Sequence, residues 1–105
     1  MDEAMIQKAV QVLLKAAPAG SKVILFGSQV RGDAQPDSDL DFIVIEPAVK
    51  NRLQEMARLS AHLGQMLIPA DIVVFSQAAF EEWQNVPNTL PYRAKKEGRI
   101  YDLGA

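Results

Sequence analysis

The sequence predicts an α/β fold of the α+β kind, a mixed twisted β-sheet flanked by helices. Three observations lead there. Short apolar runs at residues 23–26, 40–45 and 72–75 are rich in β-branched and aromatic side chains, which suit strands packed on both faces. Segments with apolar residues at helical spacing alternate with those runs, as a layered helix and sheet arrangement requires. At 105 residues, with no repeat and no low-complexity linker, the chain is read as one domain spanning residues 1–105.

Each element follows from its own pattern. Over residues 2–17, Met5, Ile6, Ala9, Val10, Leu13 and Leu14 form an apolar stripe, and Asp2 and Glu3 sit at the positive end of the helix dipole. Pro18 and Gly20 stop that helix. The first two strand runs come next. A second helix then joins strands two and three, with Leu53, Met56, Ala57, Leu59, Leu63, Met66 and Leu67 as its apolar stripe and basic residues on its other faces. After the third run, "SQAAFEEW" is a short helix capped by Ser76. "NTLPYRAKKEG" is another, capped by Asn88 or Thr89 and stopped by Gly98. "RIYDL" closes the chain as a short edge strand.

Composition removes several classes of function. A formal charge of -2 without an extended basic run gives no footprint for gripping nucleic acid through many phosphates, so bulk nucleic-acid binding is not expected. The chain has no cysteine, hence neither a disulfide nor a thiolate metal site. The longest apolar runs are far below the roughly 20 residues that cross a bilayer, so a membrane protein is not expected. The N-terminus lacks the basic-then-apolar layout of a secretion signal, and a cytoplasmic location is the expectation.

The chemistry gathers in "GSQVRGDAQPDSDLD", residues 27–41. Asp39 and Asp41 stand two apart at the entry to a strand, so both carboxylates face the same side while Leu40 and Phe42 face the other. Two carboxylates that close resist ionising together unless a cation shares them. Oxygen ligands without His or Cys nearby favour magnesium, with manganese as the alternative, and magnesium is commonly held by one or two carboxylates plus substrate phosphates. Gly27 and Ser28 follow the first strand directly, where glycine lets backbone approach a phosphate and the hydroxyl can donate to it. Arg31 adds a charge-assisted grip on the same group. Asp71 opens the third strand and joins the other two acids if that strand lies beside the second. Such a set suits in-line nucleotidyl transfer, with Asp71 as the base nearest the incoming nucleophile.

The spacing of Gly-Ser, ten residues, then Asp-x-Asp resembles the signature of the DNA polymerase beta nucleotidyltransferase superfamily. In its "FGSxxRG" and "SDxD" details and its size, the chain resembles the minimal nucleotidyltransferase (MNT) proteins of bacteria and archaea. The resemblance covers nearly the whole chain, except that nothing after Phe75 matches closely. It implies a polymerase-beta-like nucleotidyltransferase fold, metal ligation by Asp39, Asp41 and Asp71, and nucleotide binding by Gly27, Ser28 and Arg31. It also implies ATP as substrate, Mg2+ as cofactor and a helical HEPN-type toxin as partner, silenced by AMP transfer to one of its tyrosines. A homo- or hetero-oligomer would complete the acceptor cleft.

Two rival readings stand beside that expectation. One is a catalytically inactive module that neutralises its partner by covering it. The other is a nucleotidyltransferase acting on an antibiotic hydroxyl. Asp33 and Asp37 are expected to be solvated loop acids, and Ser38 to orient the strand entry. His62, with no second ligand at metal spacing, is expected to be an ordinary helical histidine. Trp83, Tyr92 and Tyr101 are expected to serve packing or an interface. Lys95 and Lys96 sit where the end of a helix favours cations.

Overall fold

The first helix, α1 (Glu3–Ala16), forms because Ile6, Ala9, Val10, Leu13 and Leu14 fall on one side and are buried there, with Glu3 in its first turn and Lys15 in its last. The computed structural model describes residues 3–27 and 40–102. Ser28, Arg31 and Asp39, and with them Asp33, Asp37 and Ser38, lie outside the described residues. After α1 the chain turns through Gly20, at φ 88°, and enters β1 (Lys22–Phe26). It resumes in β2 (Leu40–Glu46), then α2 (Arg52–Gln65) and β3 (Ala70–Ser76). Helices α3 (Gln77–Trp83) and α4 (Leu90–Glu97) and the strand β4 (Arg99–Asp102) complete it.

The strands make one mixed sheet in the order β3-β2-β1-β4. β1 is antiparallel to both β2 and β4, whereas β2 and β3 run parallel. Parallel neighbours need a crossover connection, and α2 supplies it. Alternation along the strands divides the core in two. Val23, Leu25, Leu40, Phe42, Val44, Ile72 and Val74 pack against α1 and α2, where Leu59 and Leu63 meet them. Ile24, Ile43 and Ile45 pack on the opposite face with Phe80 of α3 and Ala94 of α4. Both faces of the sheet are therefore covered, which is why β2 is a near-continuous apolar run. Among the described residues, no helix is long and apolar enough to cross a membrane.

Local chemistry explains the element ends. Ser76 Oγ accepts from the Ala79 N–H at 3.1 Å, as its place in the sequence predicts. Of the two candidate caps for α4, Thr89 serves: its hydroxyl accepts from the Tyr92 N–H, while Asn88 takes φ 69° in the turn before it. Asn51 caps α2 by accepting from the Gln54 N–H at 3.0 Å. Gly98 does end α4, but at φ −81°, so handedness is not its reason. A Cβ there would run into Ile24 Cγ2 and stand 2.6 Å from the Ala94 carbonyl oxygen. Glycine allows α4 and β4 to close onto β1.

At the free edge of β3, the Arg52 Nε donates to the Val74 carbonyl at 2.7 Å, and its guanidinium lies 4.9 Å from the centre of the Phe75 ring. The apolar stripe expected on α2 holds at Leu59 and Leu63 and fails at both ends. Leu53 is 74% exposed and Leu67 87% exposed. Leu53 sits in the first turn with its side chain in solvent, although Arg52 beside it already meets β3; Ala57, midway along, is exposed as well, and α2 stops at Gln65, leaving Leu67 beyond it.

Candidate active site

The site lies at the end of the sheet where β1 finishes and β2 and β3 begin. In the antiparallel pair, Phe26 stands opposite Asp41; in the parallel pair, Asp41 stands opposite Asp71. Residues in register on adjacent strands are about 4.8 Å apart and share a face. Asp41 and Asp71 thus occupy one face side by side, the same face as Ile43, Ile45, Val73 and Phe75. Asp41 is half-buried and Asp71 exposed, so the pair forms a wall that opens to solvent. The loop before β3 is fixed to this end by the Leu40 N–H, which donates to the Pro69 carbonyl at 3.2 Å.

Gly27 closes the third side. It leaves β1 at φ 86°, a conformation that L side chains rarely adopt. A Cβ at this position would stand 2.6 Å from Asp41 Oδ2. The carboxylate of Asp41 therefore rests against bare backbone, in space that any side chain would take. Of the six residues singled out by sequence, the structure brings Gly27, Asp41 and Asp71 together; Ser28, Arg31 and Asp39 lie outside the described residues. Two carboxylates on adjacent strands, with no nitrogen or sulfur donor between them in the sheet, match the oxygen-ligand preference of magnesium or manganese. Among the described residues alone, three acids or histidines do not meet at one point.

A second acidic cluster, which sequence reasoning did not single out, occupies the opposite end of β2. Glu46 is 2% exposed, and burial, reinforced by a hydrogen bond to Glu55, raises its carboxyl to about 8. Glu55 goes the other way, to about 2, chiefly because Arg58 grips both of its oxygens at 2.7 Å. Those contacts raise the Arg58 guanidinium in turn. Arg58 also donates to the Ala16 carbonyl at 2.9 Å, joining the last turn of α1 to α2. The cluster borders an open cleft of about 820 Å³ lined also by Pro18, Val49 and Gln54. An acid directly after the apolar run Phe42, Ile43, Val44 and Ile45 was the available signal for it.

Comparison with known proteins fits this arrangement. A family model described as a nucleotidyltransferase domain matches residues 6–101. A crystal structure from Sulfolobus solfataricus, provisionally named as a nucleotidyltransferase, superposes with a TM-score of 0.59 at 22% identity, covering 75% of this chain and 70% of that one. A toxin-antitoxin structure with AMP-PNP superposes with a TM-score of 0.65 at 19% identity, covering 97% of this chain and 74% of that one. No curated protein sequence matches.

Proposed function

The chain belongs to the nucleotidyltransferase domain family, and from that premise we propose that it is a magnesium-dependent protein adenylyltransferase that moves AMP from ATP to a tyrosine of a HEPN-type helical partner. The observation that carries the reading is the register of Asp41 with Asp71 beside the bare backbone of Gly27. Asp39, Asp41 and Asp71 would hold the metal, with Asp39 two residues before Asp41 on the way into β2. A divalent ion bound there supplies charge neutralisation for the triphosphate and lowers the cost of placing these acids together.

The residues of the chain have separate tasks in this scheme. Gly27, Ser28 and Arg31 hold the triphosphate. Asp71, more open to solvent than Asp41, accepts the proton of the acceptor hydroxyl. The acceptor oxygen bonds to the α-phosphorus as the bond from that phosphorus to the bridging oxygen breaks, and pyrophosphate leaves. The fold neighbour containing a toxin and antitoxin with AMP-PNP supports a nucleotide and a protein partner for this chain.

The test is transfer of label from α-labelled ATP to a HEPN-type protein in the presence of magnesium. Wild type should label the partner, and Asp39→Ala with Asp41→Ala should reduce the rate by at least about 100-fold, since losing direct ligands costs no less than losing the groups that orient them. Equal labelling by both would overturn the assignment. Labelling of a free hydroxyl-bearing antibiotic without any protein partner would replace the acceptor named here.

A further inference from the structure

Helix α4 lies on the sheet face that Asp41 and Asp71 share. Its Ala94 is fully buried in the cluster that holds Ile24 and Ile43. A Cβ on Gly98, directly after the helix, would meet Ile24 Cγ2 and stand 3.2 Å from the Leu25 carbonyl oxygen, so α4 is fixed over β1 at Ile24. Phe26 follows two residues later on the same face, about 7 Å along the strand. It stands opposite Asp41, which stands opposite Asp71.

The sides of α4 can be told apart. Successive residues of a helix point about 100° away from one another, and Ala94 points to the sheet. Lys95 turns toward the start of β1, because it shares a cleft of about 240 Å³ with Gly20, Lys22 and Ile100. Arg93 therefore leaves the helix on the other side, toward the end where Phe26, Asp41 and Asp71 stand.

Arg93 is also unengaged. Lys95 Nζ donates to Asn85 Oδ1 at 3.1 Å, and Lys96 lies 4.8 Å from the centre of the Tyr92 ring. Arg52, Arg58 and Arg99 each have a partner too. Arg93 is exposed and pairs with nothing among the described residues, Glu97 at ion-pair spacing included.

We propose that Arg93 is a substrate-binding residue that grips the triphosphate of ATP from the helix side of the site. This rests on the adenylyltransferase reading. Acids that hold a metal also repel phosphate, so the site needs cations of the chain's own, and a free guanidinium over the same face supplies one. Its planar fork takes two phosphate oxygens at once.

The experiment measures dissociation constants of the full chain for ATP and for inorganic triphosphate by calorimetry in magnesium. Arg93→Ala should weaken both at least about tenfold, with the thermal midpoint unchanged because the side chain is exposed. Arg93→Lys, which keeps the charge without the fork, should recover part of the loss. Lys95→Ala, on the other side of α4, should stay within about twofold of wild type. Unchanged ATP binding by Arg93→Ala, or equal weakening by Lys95→Ala, would overturn the proposal and leave the adenylyltransferase reading standing. So would weaker binding of Arg93→Ala to a purified HEPN-type protein with ATP affinity intact, which would give the guanidinium to the partner's surface. A wild-type chain that binds no ATP would overturn both.

Discussion

Asp41 and Asp71 stand opposite one another on adjacent parallel strands, although 30 residues and a whole helix separate them in sequence. The α2 crossover creates this relationship by returning the chain to the same end of the sheet before β3 begins. Asp71 therefore depends on topology for its partner, whereas the sequence expectation for Asp39 and Asp41 needs only strand alternation. Replacing Asp71 by Asn keeps the shape and removes the carboxylate proposed as the base. Transfer to the partner is expected to fall by about 10²–10⁴-fold in kcat/KM, with the thermal midpoint little changed. A loss below tenfold would assign proton removal to another group.

Gly27→Ala acts on backbone and site together. The substitution forces an alanine to φ 86° and sets its Cβ against Asp41 Oδ2. Destabilisation of about 1–3 kcal/mol by chemical denaturation is expected, together with loss of transfer. A variant as stable as wild type would mean that the turn relaxes without resistance.

Glu46 and Glu55 give stability a defined pH profile. The raised carboxyl of Glu46 keeps its proton in the folded chain up to about 8, while the unfolded chain releases it near 4.5, so stability falls as pH rises between those values. The depressed carboxyl of Glu55 contributes the opposite slope, and stability falls as pH drops from 4.5 toward about 2. For this pair the maximum lies near 4.5. Glu46→Gln, which keeps the hydrogen bond to Glu55 and cannot ionise, is expected to flatten the decline and to stabilise the fold at pH 8 by about 1–3 kcal/mol. Denaturation midpoints across pH 4–9 for both chains measure it.

Gly98→Ala tests close packing without backbone strain, because φ −81° is open to any residue. The added methyl meets Ile24 Cγ2 and the Ala94 carbonyl. A cost of about 1–3 kcal/mol is expected, and a smaller cost of the same change in an Ile24→Ala background, which removes Cγ2, would identify the clash.

Much of this architecture was legible in the chain. The runs in β1 and β2 are buried on both faces through most of their length, which erases alternation and leaves an uninterrupted signal, whereas β3 at the sheet edge alternates between buried Ile72 and Val74 and half-buried Val73 and Phe75. Ser76 was legible as a cap because a hydroxyl before a helical stripe has a local partner waiting in the next turn. Periodicity was weaker at the ends of α2: a stripe says which side of a helix is apolar, not how far the neighbouring layer extends, so Leu53 and Leu67 looked buried. Gly98 and Glu46 were hidden for a related reason. The space around Gly98 is set by Ile24, more than 70 residues away, and Glu46 is buried by a helix whose place only the folded sheet defines. In the site, Asp41 and Gly27 followed from local pattern, and Asp71 needed the strand order.

The guanidinium that Arg52 lays across the rim of β3 has a consequence for colony behaviour of the molecule in a crowded solution. An outermost strand with open carbonyls invites another chain to add to the ladder, and long apolar rims are where stacking into fibrils starts. By occupying the Val74 oxygen and covering Phe75, Arg52 places a positive charge at that rim. Copies of the protein that meet rim to rim find like charge instead of a template.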